Sequence, residues 1–85
     1  MRRDWKLIHA ILSQLEQDED YERAKEPEIA GYTRAQVLYH VKLLTEAGLI
    51  TSSEVAGERG GTEWRAISLT FRGHDFLETA KDENR

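Results

Sequence analysis

Cysteine is absent from this chain of 85 residues, and its absence removes several classes of site. The chain can form no disulfide, offers no thiolate to a metal ion and has no thiol nucleophile. A composition without cysteine also fits a reducing compartment, and we therefore expect a cytoplasmic protein.

Long apolar runs are also lacking, since none approaches the roughly 20 residues that a helix needs to cross a bilayer. The opening MRRDWKLIHAIL begins basic, but Asp4, Lys6 and His9 interrupt the apolar stretch that a signal peptide requires. We therefore expect no membrane association. We also predict one domain over residues 1–85, because chains of this length seldom form two independent cores.

An excess of positive charge is the third absence, because the formal net charge is −4. A negative chain is by itself a poor partner for nucleic acid. The acidity is concentrated, however, in residues 16–32, which carry seven Asp or Glu against two Lys or Arg. An acidic lobe on one side is compatible with a near-neutral binding face on the other.

Apolar periodicity predicts a first helix over residues 3–16, with Asp4 as its N-cap or first-turn acid. The apolar stripe expected to face the core consists of Trp5, Ile8, Ile11, Leu12 and Leu15. An acidic connector follows over residues 17–32 and contains the single proline, Pro27. It has no clear period, so we predict a loop with at most one turn or a short strand near Pro27–Ala30.

The clearest pattern is TRAQVLYHVKLLTEAGLI, from Thr33 to Ile50. Thr33 suits an N-cap and Gly48 suits the left-handed residue that ends a helix, so we predict a helix over residues 34–47. Its buried side is expected to carry Val37, Val41 and Leu44, flanked by His40 and Ala47. Its outward face is expected to carry Ala35, Gln36, Tyr39, Lys42, Leu43 and Glu46.

A hairpin and a last helix complete the predicted elements. Strands over 50–56 and 62–69 flank the glycine-rich turn 57–61. Ile67 and Leu69 are expected to alternate inward, whereas Trp64 is out of phase and lies on the solvent face, marks a bulge or packs over the first helix. Thr70 is expected to cap the last helix, which ends in a polar tail, 81–85. The apolar positions of that helix are Phe71, Phe76, Leu77 and Ala80.

This order resembles that of bacterial winged helix-turn-helix regulators. VLYHVKLLTEAGLI resembles the end of their recognition helix, and ISLTFRGHDFL resembles the passage from the wing into a packing or dimer helix. More narrowly, MRRDW, VLYHVKLLTEAGLI and LTFRGHDFL together resemble an uncharacterised family of small bacterial and prophage-encoded proteins. The resemblance implies an α+β fold, mainly α, of the winged-helix type, with residues 57–61 as the wing tip.

One departure from that pattern lies before the recognition-type helix. A helix-turn-helix unit has a full helix there, which crosses the DNA backbone. Residues 26–30 leave room for about one turn, and Glu26 and Glu28 would repel phosphates. The first helix of the motif is therefore expected to be truncated.

The leading hypothesis is a non-catalytic DNA-binding or transcription-associated protein of prophage type. Arg34 and Gln36 would meet base edges or phosphates, and Tyr39 and Lys42 would add contacts to the DNA backbone. Arg59 at the wing tip would enter a minor groove.

The competing hypothesis is a winged-helix protein-interaction module that does not bind DNA. Tyr39 and Leu43, four residues apart, form an apolar pair, and Trp64 and Phe71 are further anchor candidates. A simpler alternative is that the C-terminal helix or a second subunit covers the pair. A homodimer through the C-terminal helix would also cover its apolar side chains, unless Trp5 does so within the monomer.

Catalytic and metal-binding patterns are not evident. His9, His40 and His74 lie on different predicted elements, and only His74 has a neighbouring carboxylate, on Asp75. No Ser-His-Asp arrangement has supporting context, and Gly60-Gly61 precedes a strand rather than a helix. We therefore expect no cofactor, no metal ion and no enzymatic activity.

Overall fold

The computed structural model describes residues 1–57 and 60–83. Within this part of the chain the order is helix, helix, hairpin, helix, and the two strands pair antiparallel. The elements are α1 (Trp5–Gln17), α2 (Arg34–Glu46), β1 (Ile50–Ala56), β2 (Thr62–Leu69) and α3 (Phe71–Glu83). This small α+β fold is consistent with a winged-helix-like arrangement.

Helix α1 covers Trp5–Gln17 rather than the predicted 3–16, and Asp4 is its N-cap, one of the two roles predicted for it. Its Oδ1 accepts hydrogen bonds from the backbone N–H groups of Lys6 at 2.9 Å and Leu7 at 3.2 Å. The prediction that Trp5 belongs to the buried stripe is wrong, since 57% of Trp5 is exposed while Leu7 is fully buried. Trp5 instead stacks on Phe76 of α3, with ring centroids 6.0 Å apart, at the edge of the core.

The connector joins the sheet at one residue. Lys25 donates its N–H to the Ala66 carbonyl at 2.8 Å and accepts the Ala66 N–H at 2.9 Å, on the edge of β2 opposite β1. The extended pairing therefore occurs at Lys25, so of the two alternatives predicted near Pro27–Ala30 the short strand is not found there, whereas a turn is, at residues 30–31. The Lys25 ammonium fixes this position, because it also bonds the Ile67 carbonyl at 2.9 Å.

The segment between that bridge and α2 contains a turn at residues 30–31 and no helix. Gly31 lies in the turn with φ of 88°, a conformation that side-chain-bearing residues rarely adopt. The truncated helix expected at residues 26–30 is therefore not formed, and a segment without regular secondary structure leads into the turn.

Helix α2 begins at Arg34 as predicted and ends at Glu46, one residue before the predicted end, with Ala47 as its C-cap. Thr33 and Gln36 form a capping box at its start. Gly48 follows its end with φ of 75°, and the Leu49 N–H bonds the Leu44 carbonyl at 3.0 Å. Val37, His40, Val41 and Leu44 are buried, whereas Ala47, predicted on the flank of the buried side, is exposed.

A β-bulge sets which residues of β2 face the core. Thr51 pairs with Ser68 and Ser52 with Ala66, so Ile67 has no partner in β1. The extra residue shifts the alternation, and Trp64 packs against the core together with Leu69. The prediction that Ile67 alternates inward with Leu69 is therefore wrong, because a regular strand was assumed.

Helix α3 is fixed at its start by Thr70. The Thr70 hydroxyl donates to the Gly48 carbonyl at 2.6 Å and accepts the Gly73 N–H at 3.0 Å. Leu77 is fully buried and Phe76 is partly buried, whereas Phe71, expected to need cover, is 85% exposed. The helix continues to Glu83 and so includes the first three residues of the predicted tail 81–85, whose last two lie outside the described residues.

Candidate interaction surfaces

The guanidinium of Arg34, at the first turn of α2, lies between two carboxylates. It forms two contacts with Glu26, one of them at 3.1 Å from Nη2 to Oε2, and it bonds Glu63 at 3.1 Å from Nη2 to Oε1. These partners, Glu26 first and Glu63 second, raise the pKa of Arg34. Arg65 reaches the same Glu26 carboxylate at 3.5 Å. A phosphate approaching Arg34 would have to displace or face these carboxylates.

The side chain of Gln36 is occupied by the capping box. Its Oε1 accepts the Thr33 N–H at 2.8 Å, while the Thr33 hydroxyl accepts the Gln36 N–H at 3.2 Å. Reading a base edge with Gln36 would break this bond and weaken the start of α2.

The outward face of α2 is mainly apolar. Ala35, Lys42 and Glu46 are exposed, and the Lys42 ammonium lies 3.9 Å from the Glu46 carboxylate. Leu38, Tyr39 and Leu43 are half-buried. We define the outward face of α2 as Ala35, Leu38, Tyr39, Lys42, Leu43 and Glu46, which differs from the predicted face in having Leu38 in place of Gln36, whose side chain is held in the capping box.

The other anchor candidates, Trp64 and Phe71, lie on β2 and α3 rather than on α2. Trp64 is partly buried against the core, so its indole is not a free anchor. Phe71 is exposed beside the end of α2, where Thr70 bonds Gly48. Arg59, the candidate at the wing tip, lies outside the described residues.

A polar network joins the start of α1 to α2 and was not predicted from the sequence. The Asp4 N–H donates to His40 Nε2 at 2.9 Å, so His40 carries its proton on Nδ1 and donates it to the Gln36 carbonyl at 2.7 Å. The Tyr32 hydroxyl donates to Asp4 Oδ2 at 3.2 Å. The Leu7 N–H is the main cause that holds the pKa of Asp4 below its ordinary value of 3.8. Tyr32 and His40 lie 28 and 36 residues from Asp4, so no local sequence pattern reveals these contacts.

Basic and aromatic side chains are exposed beside this network. Arg2, Arg3 and Lys6 are exposed, together with 68% of Met1 and 57% of Trp5. The Arg3 guanidinium lies over the Trp5 ring, 4.7 Å from its centroid. We call Met1, Arg2, Arg3, Trp5 and Lys6 the N-terminal basic patch.

A groove runs beside the first turn of α2, along the segment that joins the Lys25 bridge to this helix. It is an open depression of about 490 Å³, and we call it the α2 groove. Ile29 and Tyr32 are half-buried in its apolar wall, and Glu28 is exposed at its rim. The residues that line it are Glu26–Ala30, Tyr32, Arg34 and Val37.

Within the described part of the chain, neither a metal cluster nor a membrane-spanning helix accompanies these surfaces. No group of three or more His, Cys, Asp or Glu among the described residues could hold a metal ion. Over the same residues, no helix has the length and hydrophobicity required to span a bilayer.

These features define a small α+β domain in which a capped helix, an acidic groove and a hairpin lie side by side. The chain belongs to the DUF2513 family, described as "Hypothetical protein", whose profile matches residues 2–85. It is 33% identical over 86 residues to an uncharacterised protein of Haemophilus influenzae, covering 98% of this chain and 70% of that relative. No solved structure gives a significant match. The predicted membership of an uncharacterised family is confirmed.

Proposed function

We propose that this protein is a non-catalytic interaction module that binds a protein partner through the outward face of α2. The observation that carries this proposal is the position of Arg34 between Glu26 and Glu63. The strongest cation expected to meet DNA is already neutralised, and the carboxylates around it would repel a phosphate backbone.

Two further candidates for DNA contact, Gln36 and Lys42, also favour a protein partner. Gln36 is held in the capping box, and Lys42 is exposed beside the Glu46 carboxylate. What remains on the outward face is a set of small and apolar side chains around Tyr39, and such surfaces suit protein contact more than phosphate contact. Affinity would then come from apolar burial and would depend weakly on salt.

Affinity capture with three variants tests this proposal. The tagged protein is recovered from nuclease-treated cells, so that nucleic acid cannot bridge bound proteins. We expect wild type and Arg34→Ala to retain the same stoichiometric partner, and Leu43→Glu and Ala35→Glu to lose it. Ala35 is exposed, so its substitution leaves the core intact and separates loss of contact from loss of folding.

Duplex DNA is the second candidate, favoured by the winged-helix-like order in which α2 directly precedes the hairpin. Its test is the fluorescence anisotropy of a labelled mixed-sequence duplex at two salt concentrations. Under the protein-partner proposal no binding is expected at either concentration. Binding that falls steeply with salt, and that Arg34→Ala weakens, would instead establish the DNA hypothesis.

A further inference from the structure

The N-terminal basic patch and the α2 groove are complementary in charge and in chemistry. The patch presents Arg2, Arg3 and Lys6 around an exposed Trp5. The groove presents the exposed Glu28 beside an apolar wall formed by Ile29 and Tyr32, whereas its Glu26 carboxylate is paired with Arg34. A cationic aromatic surface of one molecule therefore matches an acidic apolar depression of another.

The two surfaces are also neighbours on the molecule. The Tyr32 hydroxyl of the groove bonds the Asp4 carboxylate at 3.2 Å, and Asp4 lies within the sequence of the patch. When complementary surfaces are adjacent, one two-fold axis can satisfy both contacts at once, whereas surfaces at opposite ends would produce open chains.

We propose that a second copy of this chain occupies the α2 groove, so that the protein forms a two-fold dimer. The patch of each copy docks in the groove of the other. This interface differs from one formed through the C-terminal helix, because it does not use Phe71 or Leu77. It also leaves the outward face of α2 open, so it stands independently of the protein partner proposed above.

Analytical ultracentrifugation of the full chain at low and high salt tests the dimer. We expect a dimer at low salt that dissociates as salt rises, because exposed ion pairs are screened. The double variant Arg2→Glu/Arg3→Glu and the single variant Glu28→Lys should each raise the dissociation constant by about tenfold or more, since each places like charges together. Combining the three substitutions in one chain should restore the dimer.

Glu54→Lys is the matched control, because Glu54 is also exposed but lies on β1, away from the groove. It changes the net charge as Glu28→Lys does and should leave the dimer intact. A monomer at low salt overturns the proposal, as does an equal effect of Glu28→Lys and Glu54→Lys. A dimer that ignores all these substitutions and dissociates with Phe71→Ser would assign the interface to the C-terminal helix.

Discussion

At the scale of single residues, Asp4 combines several structural roles. Its side chain caps α1 and accepts the Tyr32 hydroxyl, while its backbone N–H bonds His40. Its pKa is lowered, so the folded protein binds this proton less tightly than the unfolded chain does. The charged carboxylate therefore stabilises the fold above pH 3.8, and that contribution is lost as pH falls through the folded-state pKa.

Asp4→Asn tests this linkage, because asparagine also caps helices but does not titrate. We expect wild type to have the higher melting temperature at neutral pH and the difference to shrink as pH falls below 3.8. Thermal unfolding followed by circular dichroism across this range measures it. Tyr32→Phe removes one hydrogen bond to the carboxylate, so its melting temperature at neutral pH should lie between those of wild type and Asp4→Asn. A difference that stays constant with pH would contradict the assignment.

Gly73 is a second residue with a structural role, which follows from its close approach to the backbone of Leu49. A Cβ at this position would lie 2.0 Å from the Leu49 carbonyl oxygen. Intrinsic helix propensity favours Ala over Gly by about 1 kcal/mol, but we expect Gly73→Ala to destabilise by about 1–3 kcal/mol, because backbone must move. Urea unfolding measures the change. Thr79→Ala, at an exposed position of α3, is the control and should not destabilise.

At the scale of elements, the capping box of α2 gives Gln36 a structural role. Gln36→Ala should lower the free energy of unfolding by about 0.5–1 kcal/mol, whereas Gln36→Glu keeps an acceptor for the Thr33 N–H and should not. Urea denaturation of the two variants separates the outcomes. If both variants are as stable as wild type, Gln36 is not needed for capping.

The elements were predictable where their signals are local. Thr33 and Gly48 flank α2 and mark its start and its end, and Thr70 marks the start of α3. The Lys25–Ala66 bridge and the contacts that Arg34 makes with Glu63 join residues far apart in sequence, so no periodicity could reveal them. The candidate site was the least predictable part, because such long-range pairs determine which of its charges are neutralised.

At the scale of the whole molecule, Lys25 holds the acidic connector against the sheet. Its ammonium bonds the Asp18 carboxylate at 2.9 Å and the carbonyls of Asp20 at 2.7 Å and Ile67 at 2.9 Å. The side chain is only 13% exposed, so these acceptors depend on it. The connector is therefore an ordered part of the fold despite its acidic, loop-like sequence.

Lys25→Met should remove these bonds and destabilise the protein by about 1–3 kcal/mol, because the partly buried Asp18 carboxylate and Ile67 carbonyl lose their donor. Cleavage by a glutamyl endopeptidase at Glu19 and Glu22 should accelerate. Arg23→Met is the control, since the exposed Arg23–Asp20 pair contributes little. Equal cleavage rates for the two variants would show that Lys25 does not hold the connector.

The bulge in β2 has a consequence for how chain length varies among relatives. Ile67 is the residue without a partner in β1, and its carbonyl accepts the Lys25 ammonium. Deleting Ile67 would leave Trp64, Ala66 and Leu69 in regular alternation, so the sheet itself does not need it. We expect a one-residue gap here in family members that lack a lysine aligned with Lys25. The presence of a residue at position 67 and of a lysine at position 25 should therefore vary together among family members.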